Sequence, residues 1–127
     1  MALRPTDEQL KAVEAYRAGQ DLKGVATFHG NISTGNPAQA GKVKARVLVM
    51  NGTDDPFVKP ETIEAFKKEM ETAKVKYKFV NYPGAKHSFT NPDADAYARK
   101  FDMPALAYNA IADNESWAEL ERFLKEI

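Results

Sequence analysis

Ala45-Arg46-Val47-Leu48-Val49-Met50-Asn51-Gly52-Thr53-Asp54-Asp55-Pro56-Phe57-Val58 is the stretch that decides how this chain folds. Val47 to Met50 are consecutive apolar residues. Such a run suits a central parallel strand covered on both faces, not a strand with one wet face. Asn51-Gly52 ends it, and two adjacent carboxylates follow. A parallel strand needs crossover connections, so strands and helices should alternate on either side of it.

They do. Upstream, residues 24–29 read as a short buried strand closed by Gly30. Residues 30–44, with three glycines and Pro37, have loop composition. Before them, residues 6–18 read as a helix. Thr6 and Gln9 have capping-box spacing, Leu10, Val13 and Tyr16 share a narrow apolar face, and Gly19 is a stop. Downstream, residues 61–73 read as an amphipathic helix with Pro60 in its first turn and Ile63, Phe66 and Met70 as its stripe. Residues 75–82 read as a third strand, broken by Pro83-Gly84. A short helix is expected near residues 94–100. A final helix is expected over residues 115–127, capped by Asp113 or Asn114, with Trp117, Leu120, Phe123, Leu124 and Ile127 on its buried side. The expected fold is α/β, with about three parallel strands flanked by helices.

Length and composition fit one domain over residues 1–127. The chain is 43% hydrophobic and 28% charged, an ordinary globular mixture. Its formal net charge is zero, which gives no electrostatic reason to bind nucleic acid or an anionic membrane. Without cysteine there is no disulfide, no thiolate catalysis and no Cys-based zinc site. The polar start lacks a signal-peptide core, and no apolar run approaches the ~20 residues of a membrane span. A soluble, cytoplasmic protein is expected.

Two loops carry candidate chemistry, and each follows a strand. One bears Asp54 and Asp55. The other, Tyr82-Pro83-Gly84-Ala85-Lys86-His87-Ser88-Phe89, bears His87. Ligands bind outside the carboxyl ends of strands in an open parallel sheet, so the two loops can meet. A carboxylate bonded to one imidazole nitrogen fixes the tautomer and leaves the other nitrogen as a general base.

Both loops resemble segments of the dienelactone hydrolases, members of the α/β-hydrolase superfamily. Val47 to Val58 is similar to the family's acid-bearing segment, and Tyr82 to Pro92 to its histidine segment. Ala107 to Trp117 resembles the run into its last helix. Leu22 to Gly30 resembles the strand after the nucleophile helix. The motifs occur in family order from about Asp21 onward. The resemblance puts the triad acid on Asp55, just before Pro56-Phe57-Val58, and the triad histidine on His87. It implies a small ester or lactone as ligand. Asp54 we read as a turn or cap residue.

One family feature is absent. The nucleophile of this superfamily sits in a strained G-x-(S/C)-x-G turn upstream of the acid. No such pentapeptide exists here, and residues 6–19, where it should lie, read as a plain charged helix. Ser33, in Gly30-Asn31-Ile32-Ser33-Thr34-Gly35, comes nearest, but its spacing is off by one and it follows the wrong strand. Ser88 adjoins His87 without an elbow. We read His29, at a strand end near the site, as a supporting residue. Asp93 and Asp95 lack the remaining positions of a calcium loop, so no metal is expected, and no cofactor.

The expectation is therefore a hydrolase-like domain carrying the Asp55 and His87 positions, weak or inactive alone for lack of a nucleophile. The alternative is a non-catalytic assembly or binding module. The strand at residues 24–29 would then leave an open edge. A homodimer, or complementation by a chain bearing the missing N-terminal half, would cover it. The helix at residues 6–18 folding back is the monomeric solution.

Overall fold

The computed structural model describes residues 14–127. Three strands, β1 (Gly24–Phe28), β2 (Arg46–Gly52) and β3 (Tyr77–Tyr82), form one parallel sheet in the order β1-β2-β3. Helix α1 (Pro60–Thr72) connects β2 to β3. Helices α2 (Ala94–Lys100) and α3 (Ala110–Glu126) follow β3. The α/β architecture is the expected one.

The central run explains the layering. Successive strand residues point to opposite faces. Val47 and Val49 pack with Phe66 and Met70 of α1 on one side. Leu48 and Met50 pack with Tyr82, Phe89 and Phe123 on the other. Leu48 and Met50 are wholly buried. Each such side chain contributes roughly 1.5–3 kcal/mol of burial free energy. No single face could have used four apolar residues in a row, so the sheet takes a helix on each.

Several elements differ in detail. β1 is half-buried along its whole length, not buried, because among the described residues β2 is its only neighbour in the sheet. Val75 is buried but precedes β3, which begins at Tyr77. The last helix starts at Ala110 instead of residue 115. Asn109 caps it by accepting a 3.0 Å bond from the Ala112 N–H. Asp113 is inside the helix and accepts from the Tyr108 hydroxyl at 2.7 Å. The residues of α3 that are buried are Ala112, Ser116, Glu119 and Phe123, whereas Trp117 and Leu124 are 52% and 57% exposed. Of the five residues expected on the buried side, only Phe123 is buried, Leu120 and Ile127 are half-buried, and Trp117 and Leu124 are exposed, since no described strand lies beyond β1 to cover them.

Of the helix expected at residues 6–18, the capping box and residues 10 and 13 lie outside the described residues. Glu14 and Ala15 are helical, and Gly19 ends the turn at a φ of 88°, where a side chain would be strained. Arg17 is nearly fully buried despite its charge. Its Nε and Nη2 donate to the two oxygens of Glu69 at 2.7 and 3.0 Å, and Nη2 also donates to the Ile32 carbonyl at 3.0 Å. Glu69 accepts from the Ala38 N–H as well. One ion pair thus ties this segment and the loop after β1 onto α1. No described helix is long and apolar enough to cross a membrane.

Candidate functional site

The site is built where β2 and β3 end. Gly52, the last residue of β2, allows the two exits to touch. The Thr53 N–H donates to the Tyr82 carbonyl at 3.0 Å and the Asp54 N–H to the Ala85 carbonyl at 2.9 Å. Thr53 Oγ1 accepts from the Gly84 N–H at 2.8 Å. The loop after β2 is therefore laced to the loop after β3 before either functional side chain is considered.

Asp55 is 3% exposed. Its Oδ1 accepts from the Phe57 N–H at 2.9 Å. Its Oδ2 accepts from Nδ1 of His87 at 2.9 Å. The turn-capping role and the histidine-orienting role are thus divided between two oxygens of one carboxylate. An ionised carboxylate only accepts, so Nδ1 carries the proton. Nε2 is left as the nitrogen with a lone pair, the tautomer a general base requires.

The backbone of His87 is clamped as well. Its N–H donates to the Ala105 carbonyl at 3.1 Å, and its carbonyl accepts from the Ala107 N–H at 3.2 Å. This is a one-residue parallel bridge to Leu106. Ser88 then takes a φ of 63°, a left-handed turn that lets His87 face the cleft while Phe89 enters the core. Strain of this kind persists where the surroundings hold it. The His87 side chain keeps 22% exposure, so its free nitrogen can meet a ligand.

Two rings flank the imidazole. Phe57 meets it edge-on at 5.0 Å between centroids, and His29 at 5.4 Å. His29 also touches Phe89 at 5.2 Å, and its Nε2 is hydrogen-bonded to Thr90 Oγ1 at 3.0 Å. Burial, reinforced by His87, pushes the His29 imidazole down to about 4, so it stays neutral at pH 7. Sequence reading passed over Phe57. Its signal was an aromatic residue directly after the acid and Pro56, left 49% exposed beside the site.

The other candidates lie apart. Asp54 is exposed and accepts from the Thr53 hydroxyl, a turn role. Ser33 is exposed, and its Oγ and N–H both bond to Asn31 Oδ1. The Ser88 carbonyl accepts from the Asn91 N–H, closing a turn. Asp93 precedes α2, and Asp95 accepts from the Tyr108 N–H at 3.1 Å. Among the described residues no group of three or more His, Cys, Asp or Glu is arranged to hold a metal.

Known proteins are similar to this chain in sequence and, for two solved structures, in fold. An uncharacterized protein of Caenorhabditis elegans is 30% identical over 107 residues, which are 83% of this chain and 65% of that protein. A dienelactone hydrolase-like promiscuous phosphotriesterase from metagenomic libraries is 35% identical in sequence. It superimposes with a TM-score of 0.79 over 90% of this chain and 46% of its own. A structure named m3DLH, also 35% identical, gives 0.83 over 94% and 48%. The chain thus spans about half the length of these solved relatives and under two thirds of the nematode protein. The sequence profile of the dienelactone hydrolase family matches residues 9–127, and the chain belongs to that family.

Proposed function

We propose that this domain supplies the acid and the histidine of an ester- or lactone-hydrolysing site, with Asp55 as the orienting carboxylate and His87 as the general base. The observation that carries this reading is the 2.9 Å bond between His87 Nδ1 and a fully buried Asp55 oxygen at the carboxyl rim of a parallel sheet. In the reaction His87 Nε2 takes the proton of the attacking group, and Asp55 stabilises the imidazolium that forms. The 127 residues hold no cysteine and no G-x-(S/C)-x-G turn. The attacking group is then water, or a nucleophile presented by another chain or segment, and the domain alone is a weak or inactive hydrolase. Hydrolysis of a chromogenic short-chain ester tests it. Activity lost in His87→Ala supports the reading, and activity unchanged by that substitution overturns it.

A second reading is favoured by one feature of the surface. Trp117 and Leu124 stand exposed on α3, and Trp117 packs on Phe28 of β1 at 4.8 Å. Among the described residues β1 has β2 as its only neighbour in the sheet. A strand edge unpaired among the described residues, beside exposed aromatic surface, suits a joining surface. In this reading the domain assembles, as a homodimer or with a chain carrying the family's other half, and works in the cytoplasm. Sedimentation at rising concentration tests it, and a species that stays monomeric throughout removes the homodimer.

A further inference from the structure

The amino-terminal rim of the sheet lies at the opposite end from His87, and basic residues stand at or just before the start of each strand. Lys23 precedes β1, Lys44 precedes β2 and Arg46 opens it, and Lys74 and Lys76 precede β3. All five line one open concavity of about 560 Å³ together with Val43, Ala45, Val75 and the last residue, Ile127, and no aspartate or glutamate side chain is among its lining residues. Arg46 is paired with Glu126 at 3.1 Å. The four lysines are exposed and make no side-chain hydrogen bond or ion pair among the described residues.

The concentration is local. Acidic and basic residues balance at 18 each over the whole chain, and the carboxylate bordering this rim is Glu126, already paired with Arg46. Four like charges near neighbouring strand starts repel one another. Adjacent strands are ~4.8 Å apart, so the three starts span roughly 10 Å, within one Debye length at physiological salt. The end of α1 accounts for one of these charges, since a cation near a helix C-terminus is favourable. It does not account for Lys23, Lys44 or Lys76. Even Lys74 takes a φ of 58°, a left-handed position where glycine or asparagine would be less strained.

We propose that this rim is a binding site for a compact polyanion, a small molecule carrying two or more linked phosphate groups. The concavity has the size of a small-ligand site. A patch bounded to three strand starts on a molecule with no net charge matches a compact anion. An extended polymer would reach the carboxylates beyond it. Lysine suits this ligand because its ammonium acts as a point charge that can follow several phosphate oxygens. The site is independent of the hydrolytic rim.

Calorimetric titration with inorganic tripolyphosphate at low salt is the test. Saturable binding of one ligand per chain is expected. It should weaken ~10-fold or more when Lys23, Lys44, Lys74 and Lys76 are all changed to Gln, and should weaken as salt rises through the screening range. The pair Lys44→Gln/Lys76→Gln, checked for its fold by circular dichroism, carries the same comparison should the fourfold variant not fold. His87→Ala should bind as the parent does. Absence of saturable binding, equal binding by a folded lysine variant, or tighter binding of an oligoglutamate peptide than of tripolyphosphate would each overturn the assignment.

Discussion

Gly52 and Ala85 lie backbone against backbone, so close that a Cβ on Gly52 would sit 2.2 Å from the Ala85 carbonyl oxygen. The contact joins the end of β2 to the loop that carries His87, three residues before Asp55. Neither partner is a flexible side-chain tip, so a methyl group there must push the two loops apart. Gly52→Ala should destabilise the fold by roughly 1–3 kcal/mol and weaken the Asp55–His87 bond. Urea unfolding reads the first effect. Nitrogen-15 shifts of the His87 ring read the second, as loss of the single Nδ1–H form.

Asp55 serves two donors from a buried position, so removing one function can be separated from removing both. Asp55→Asn keeps an oxygen that can accept from the Phe57 N–H. Its amide nitrogen cannot accept from His87 Nδ1–H. The fold should lose ~1 kcal/mol, while the His87 ring loses its fixed tautomer. Asp55→Ala leaves both donors unmatched and should cost about 2–4 kcal/mol. Equal unfolding midpoints for the two variants would contradict this division of labour.

The pH response follows from His29. The unfolded chain protonates this imidazole near 6.5, the folded chain only near 4. Between those values the unfolded state binds more protons, so stability falls as the pH drops from about 6.5 to 4. Above that window the penalty is absent. With the side chain partly open to water, the loss should be on the order of 1–3 kcal/mol. Unfolding by urea at pH 7.5 and pH 5 measures it. His29→Gln should flatten the profile, and a slope unchanged in that variant would mean that another group is responsible.

Arg17 and Glu69 form a doubly bonded pair with side chains 2% and 7% exposed. Glu69→Ala takes two charged acceptors from the buried Arg17 guanidinium and should cost about 3–5 kcal/mol, whereas replacing both by apolar residues of similar volume, Arg17→Met with Glu69→Leu, should cost less than that. A double-mutant cycle in thermal unfolding decides it. Additive losses would mean that the two act separately.

Trp117 is the only tryptophan in the chain and reports on its own surroundings. Half-exposed in the monomer, it should emit as a solvated indole at high dilution. If α3 and β1 form the joining surface, emission should shift to the blue as concentration rises, and Trp117→Glu should hold the protein monomeric in sedimentation. An emission maximum independent of concentration, with no change in mass, would exclude a homodimer through that face.

The order of strands and helices was legible because this chain states its periods openly. The unbroken apolar run at Val47 to Met50 demanded cover on two faces, and the stripe of Ile63, Phe66 and Met70 supplied one cover. The motifs around Asp55 and His87 were legible for a different reason: short loops after parallel strands must emerge on one rim. Boundaries were less legible. The cap of α3 is Asn109 and not Asp113, because the helix begins at Ala110, which leaves Asp113 inside it with its carboxylate on the Tyr108 hydroxyl.

Sequence by itself determined that an acid and a histidine stand on successive loops of a parallel α/β domain, since local periodicity and turn residues are written in the chain. Tertiary structure alone decided how the Asp55 oxygens are shared, that Arg17 is buried against Glu69, that Trp117 stays in the open, and that the lysines heading three strands gather at one rim. Those outcomes depend on contacts between residues far apart in the chain. No period or motif encodes them, because each is fixed only when separate segments meet.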